Sequence, residues 1–279
     1  ADTGVDSVVS NRSTASNWTV TAAEEGNVTG WLSSFSGIET LNGSVATDTF
    51  TVGAYINSIV GGASASIAEY DEIIVAVADP EVAWNLAGTN SGNIELGNED
   101  PANYLVANFS DIENLTGGDT NDTFFFVGSV AVSGLIQGGA GINVLDQSEL
   151  TGINWTHIDG EAYTEQPIGG NSFSILPDSF FEIISGDNAA SNGLIGAIDA
   201  TNWLFSTDNE GNQTVTVTFD GNETTYTNIG QVIGRNAVND TFNFTATGYL
   251  DGAISAGTGA GIDIINSPDI SGVVPWNIT

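Results

Sequence analysis

The chain has 279 residues, 41% of them hydrophobic, and no run of 18 apolar residues, so no membrane-spanning helix is predicted. Two Arg (Arg12 and Arg235), no Lys and 35 Asp plus Glu give a formal charge of -33, a field that repels nucleic acid and anionic membrane and attracts divalent cations. The absence of Cys removes disulfides, thiolate metal sites and cysteine nucleophiles together.

Residues 1–34 open with a turn at Gly4 and Asp6, an apolar step at Val8-Val9 and two Trp-centred strands, Trp18-Thr-Val-Thr and Trp31-Leu. Thr, Val and Trp favour pleated surfaces, and the Asn, Ser and Gly between them supply turns. Phe35-Ser-Gly-Ile-Glu-Thr-Leu-Asn-Gly then leads to Thr47-Asp-Thr-Phe, and Gly61-Gly62 closes the unit. Ile73-Ile-Val-Ala-Val-Ala is short and apolar, which predicts a strand buried on both faces and ended by Pro80. The stretch from Phe109 to Asp146 is the template of the chain. Its first half runs Phe109-Ser-Asp-Ile-Glu-Asn-Leu-Thr-Gly-Gly-Asp-Thr-Asn-Asp-Thr-Phe-Phe-Phe, and its second half is Gly138-Gly-Ala-Gly-Ile-Asn-Val-Leu-Asp.

Residues 161–190 fit that template worst: Pro167, Pro177 and Gly169-Gly170 interrupt them, and an insertion or a decayed coil is expected there. Val215, Val217 and Phe219 alternate strictly before Asp220-Gly221, which predicts a hairpin and a local antiparallel excursion. The first half of the template returns at Tyr226-Thr-Asn-Ile-Gly with Asn239-Asp-Thr-Phe. The second half returns at Thr258-Gly-Ala-Gly-Ile-Asp-Ile-Ile-Asn and, worn down, at Ala1-Asp-Thr-Gly-Val-Asp-Ser-Val-Val.

Unit starts near residues 1, 63, 139 and 258, with a degenerate one near Asn192, give a loose period of roughly 60 to 75 residues. Within a unit, Asp122 lies 21 residues before Asn143, and Asp240 lies 23 before Asp263. Such spacings fit one coil of a β-helix, with Phe124 stacked on Leu145 and Phe242 on Ile265 at about 4.8 Å. The expected fold is all-β: a parallel β-solenoid (β-helix) of degenerate repeats with little or no helix, residues 1–279 forming one domain on the order of 60 Å long.

These motifs resemble the repeats of very large secreted and surface proteins of Gram-negative bacteria, in which a Phe-x-x-Ile-Glu-x-Leu-x-Gly-Gly-x-x-x-Asp-Thr-Phe segment alternates with Gly-Gly-x-Gly-x-Asp. They are also similar to the haemolysin-type, or RTX, calcium-binding nonapeptide. Gly138 to Asp146 matches it with Asn143 at the Asp position; Thr258 to Asn266 keeps Asp263 and lacks the first Gly. The resemblance implies calcium held at coil corners by Asp6, Asp48, Asp122, Asn143, Asp240 and Asp263. The alternative for the same side chains is hydrogen bonding to the turn backbone.

Acid pairs such as Glu24-Glu25 and Asp71-Glu72 read as solvated surface in a chain this acidic, and His157, the single histidine, reads as a surface or packed strand residue. Trp18, Trp155 and Trp276 fall 12, 12 and 13 residues after the Asp or Asn of the preceding turn, which favours core rungs over a sugar-binding face. Thirteen Asn-x-Ser/Thr sequons occur, at Asn11, Asn17, Asn27, Asn42, Asn108, Asn114, Asn121, Asn154, Asn212, Asn222, Asn239, Asn243 and Asn277; glycosylation of a minority of them is one expectation, and Asn at turns followed by strand Thr is the alternative.

The sequence thus points to a non-enzymatic extracellular or cell-surface structural protein: an adhesin or matrix repeat module, or a filament subunit. No basic segment followed by an apolar one opens the chain, so an export signal is expected to have been removed or to lie outside it. Expected partners are further copies of the chain stacked head to tail and surface glycans, with no nucleic acid and no membrane insertion. The competing expectation is a β-helical polysaccharide-binding or polysaccharide-degrading protein. Such an enzyme needs acids beside a basic residue, and Arg12 and Arg235 are far apart in sequence.

Overall fold

The computed structural model describes residues 4–63, 69–77, 81–96, 104–127, 130, 132–141, 143–146, 154–158, 161–165, 174–175, 181–184, 193–195, 202–219, 222–227, 229–234, 239–258 and 260–268. Every regular element among them is a strand. The strands are β1 (Ser7–Val9), β2 (Ser16–Ala22), β3 (Glu25–Val28), β4 (Leu32–Ser36), β5 (Thr40–Asn42), β6 (Asp48–Val52), β7 (Ile56–Val60), β8 (Glu72–Val75), β9 (Val82–Gly88), β10 (Ser91–Leu96), β11 (Tyr104–Ser110), β12 (Asn114–Thr116), β13 (Asp122–Phe126) and β14 (Leu135–Gln137). They continue with β15 (Asn143–Asp146), β16 (Asn154–Ile158), β17 (Glu161–Glu165), β18 (Ser174–Ile175), β19 (Phe181–Ile184), β20 (Gly193–Ile195), β21 (Asn202–Thr207), β22 (Gln213–Phe219), β23 (Asn222–Thr227), β24 (Gln231–Ile233), β25 (Thr241–Phe244), β26 (Ala253–Ser255) and β27 (Ile264–Asn266).

The chain passes back and forth between two sheets. One has the order β1-β5-β7-β11-β10-β9-β13-β15-β19-β23-β22-β21-β25-β27, the other β26-β24-β20-β16-β17-β18-β14-β12-β8-β6-β2-β3-β4. Where single strands alternate between sheets, neighbours are parallel, and the registers are those that the 21- and 23-residue spacings predict: Phe124 pairs with Leu145 and Phe242 with Ile265.

The expectation of a parallel stack holds for most of the described pairings and is corrected where antiparallel strands enter, so that both sheets are mixed. Four antiparallel meanders (β2-β3-β4, β9-β10-β11, β16-β17-β18 and β21-β22-β23) interrupt it, in alternate sheets along the chain. Each meander begins on the strand that pairs with a later one (β2 with β6, β9 with β13, β16 with β20, β21 with β25) and then folds back across two antiparallel strands. The hairpin predicted around Val215 to Phe219 is one of these four, with Phe219 opposite Asn222 across a two-residue connection. Residues 161–190 supply β17, β18 and β19, the last paired in parallel with β15 and β23.

Alternation explains the strands. In Asp48-Thr-Phe-Thr-Val the first, third and fifth residues are buried and the others half-exposed, as a period of two requires of a sheet with one covered face. Ile73 to Val75 behaves the same way: Ile73 and Val75 are buried while Ile74 is half-buried, so the expectation of a strand covered on both faces is corrected to one covered face. Inward residues line up across the strands, as in Trp18, Phe50, Ile73, Leu115 and Ile136, and join a single buried cluster that draws on both sheets.

Candidate corner site of stacked carboxylates

The three Asp-Thr-Phe copies open β6 and β13 or lie at the start of β25, each beside the Trp strand that leads a meander. Trp18 stacks on Phe50 with ring centroids 5.4 Å apart, Trp84 on Phe124 at 5.2 Å and Trp203 on Phe242 at 5.8 Å; all six rings are fully buried. Asp48, Asp122 and Asp240 are buried with them.

A buried carboxylate must be hydrogen-bonded, and the corner supplies the donors. Asp122 Oδ2 accepts the Gly118 N–H at 2.9 Å, and Oδ1 accepts the Trp84 Nε1–H at 3.1 Å. Asp48 Oδ2 accepts the Ser44 N–H at 2.6 Å and the Ser44 hydroxyl at 2.9 Å, while Oδ1 accepts the Trp18 Nε1–H at 3.3 Å. Trp203 repeats the stacking without the bond, since its Nε1 is buried with no partner. The turn packs so closely that Gly117 has no room for a side chain: a Cβ there would lie 2.3 Å from the Gly138 carbonyl oxygen and 2.7 Å from Asp122 Oδ2.

Each of these Asp residues is also tied through its backbone to a residue 21 or 23 positions later. The backbone N–H of Asp122 donates to Asn143 Oδ1 at 2.9 Å, that of Asp240 to Asp263 Oδ1 at 2.9 Å, and that of Asp48 to Asp71 Oδ1 at 2.7 Å. The first two pairs are those predicted from spacing. Asp71 was missed, although it follows Asp48 by the same 23 residues that separate Asp263 from Asp240; the solvated reading of Asp71 is corrected, because it is 1% exposed.

Glu113, from the Ile-Glu of the template, extends the chain of acids. Its Oε2 accepts the Asp71 N–H at 2.9 Å and its Oε1 accepts from Asn90 Nδ2 at 3.1 Å, while the Glu113 and Asn114 N–H groups both donate to the Asp71 carbonyl. Glu39 does the same at the first copy, accepting the Asp6 N–H at 2.8 Å while the Glu39 and Thr40 N–H groups donate to the Asp6 carbonyl. Asp6, an exposed residue, therefore takes part in this junction through its backbone.

Electrostatics follow from burial. The Asp122 carboxyl is pushed up to about 6 by burial, against the lowering effect of the Trp84 and Gly118 hydrogen bonds. Asp71 rises to about 7: burial acts first, the hydrogen bond from Asp48 opposes it, and the Asp48, Glu113 and Asp111 carboxylates add to it. Asp71 Oδ2 is buried without a partner.

Calcium takes six to eight oxygens. The described oxygens of Asp48 and Asp122 instead receive N–H and O–H donors, and among the described residues no group of three or more His, Cys, Asp or Glu is arranged to hold a metal ion. Arg12 is exposed, with Nη2 donating to Thr14 Oγ1 at 3.5 Å. Arg235, Trp276 and the His157 and Trp155 side chains lie outside the described residues. No protein-family model, no characterised protein and no solved structure matches the chain.

Proposed function

We propose that the two sheets form a β-solenoid and that the chain is a non-enzymatic structural protein of the cell exterior, a repeat module of a bacterial surface adhesin or matrix protein or a subunit of an extracellular filament. One observation carries this reading: the polar residues that recur in the sequence, Asp48, Asp71, Asp122, Asn143, Glu113 and Asp240, are spent on joining each coil to its neighbour. Repeated catalytic residues would converge on a cleft; these run along the stack. The Trp-on-Phe joint recurs three times within the chain, and a joint that adds units in cis also suits the addition of a further copy end to end. A head-to-tail contact of this kind generates an open fibre when its rotation does not close.

Electron microscopy of material taken from the native host tests the reading. Continuous rods or threads with a strand spacing of about 4.8 Å along the axis are expected. Isolated particles at every concentration, together with turnover of an acidic or neutral polysaccharide, would replace it with the degrading enzyme.

A further inference from the structure

The sequons remain outside that reading. Strand alternation places polar residues at positions i and i+2 without regard to their order. With 28 Asn and 54 Ser plus Thr in 279 residues, composition alone yields about five Asn-x-Ser/Thr triplets. Thirteen occur, whereas the mirror triplet Ser/Thr-x-Asn, which alternation favours equally, occurs four times, ending at Asn42, Asn93, Asn209 and Asn243. Setting aside Asn121 and Asn239, which belong to the repeated Asn-Asp-Thr-Phe, leaves the bias in place. Asn at a turn followed by a strand Thr accounts for part of the bias, as at Asn114, Asn154 and Asn222, which open β12, β16 and β23; it does not account for Asn17 and Asn108, which lie inside β2 and β11, and a glycosyl transferase reads the same direction.

The fold presents these triplets outward. Ten of the thirteen Asn have described side chains, and none of the ten is buried. In Asn17-Trp18-Thr19, Asn27-Val28-Thr29, Asn108-Phe109-Ser110 and Asn114-Leu115-Thr116 the middle residue enters the core, which leaves Asn and hydroxyl together on the outer face. Several of the amides have structural work: Asn114 Oδ1 accepts the Leu135 N–H, Asn239 Oδ1 the Ile262 N–H and Asn243 Oδ1 the Asn266 Nδ2, while Asn212 Nδ2 donates to Asp208. Asn11, Asn17 and Asn108 are exposed and make no side-chain hydrogen bond among the described residues. Small neighbours flank two of them in register: Thr49 is opposite Asn17, and Ser58 is opposite Asn108.

We propose that Asn11, Asn17 and Asn108 are N-glycosylation sites whose glycans clothe the outer faces of the sheets. In the transfer, Nδ2 forms a bond to the anomeric carbon of a polyprenyl-phosphate-linked sugar donor. The carbon–oxygen bond to phosphate breaks, the lipid phosphate leaves with the electron pair, and the Nδ2 proton passes to a base of the transferase. The inference rests on the extracellular location proposed above.

Mass spectrometry of peptides from protein purified out of its native host tests it, with a protease cutting at Glu or at aromatic residues, since trypsin has two sites at most. A glycan mass on at least two of Asn11, Asn17 and Asn108 is expected, lost from the corresponding peptide in Asn17→Gln and Asn108→Gln. Unmodified Asn at two or more of the three overturns the proposal, whatever the other sequons carry. Cell fractionation separates the two readings: unmodified protein at the cell surface defeats the glycan alone, and unmodified protein confined to the cytoplasm defeats the location as well.

Discussion

Asp122 shows how one side chain holds a turn, a core ring and a strand start together. Its carboxylate accepts from the Gly118 N–H and the Trp84 indole, and its own N–H donates to Asn143. In Asp122→Ala both donors stay buried without an acceptor, at about 1–3 kcal/mol each, so urea denaturation is expected to show a loss of several kcal/mol. A loss near that of an exposed Asp would mean that water replaces the carboxylate. The acid ladder also sets a pH dependence. Asp71 at about 7 and Asp122 at about 6 both lie above the ordinary 3.8, so the folded chain holds more protons than the unfolded one between about pH 4 and 7. Their contribution to stability is complete below about pH 4 and is lost as pH rises through 6 and 7. Asp71→Asn, which places at this corner the residue found at position 143, is expected to raise stability at pH 8 and flatten the pH profile; an unchanged slope would remove Asp71 as its source.

At the scale of the element, three of the four meanders, those begun by β2, β9 and β21, are led by a Trp whose ring lies on the Phe of the following Asp-Thr-Phe strand. Trp84→Ala and Phe124→Ala each empty a fully buried site and are expected to cost about 3–5 kcal/mol. In a double-mutant cycle the stacked pair, 5.2 Å apart and 17° from parallel, should show a coupling of about 0.5–1.5 kcal/mol; strict additivity would mean that the rings contribute by burial alone. The first two meanders bend at equivalent places. Glu24 and Asn90, each six residues after the leading Trp, have positive φ of 57° and 50°, and Gly37 and Asp111, each two residues after the template Phe, have 63° and 54°. Non-Gly residues adopt this conformation at a cost, so its recurrence at matched positions marks these bends as part of the repeat.

For the whole molecule, a charge of -33 opposes both compaction and the approach of a second copy. End-to-end association is therefore expected to grow with ionic strength, as screening shortens the range of repulsion to about 3 Å at 1 M salt. Light scattering at low and high salt measures it, and a mass that stays constant or falls with salt argues against stacking. Calcium gives a separate test. Because the Asp48 and Asp122 oxygens already accept N–H donors, the melting temperature is expected to be the same in calcium and in magnesium at equal ionic strength. A rise specific to calcium would show that a folded-state site binds it.

Period-two alternation and two spacings were enough to predict an all-β chain, the register of Phe124 on Leu145 and Phe242 on Ile265, and the pairing of Asp122 with Asn143 and Asp240 with Asp263. These are local or evenly repeated features, and hydrophobic stacking fixes them wherever the strands end up. The meanders were legible only around Val215, where a two-residue Asp-Gly turn marks a hairpin. The hairpin between β9 and β10 turns at Thr89-Asn90 and that between β2 and β3 at Ala23-Glu24, dipeptides without such a mark. Parallel and antiparallel strands share the same alternation, so pairing direction is decided by which edge lies open when the chain returns. The burial of Asp71 and Glu113 has the same origin: their spacing is in the sequence, but their removal from water depends on β8 and β12 packing side by side, a contact between residues some 40 positions apart.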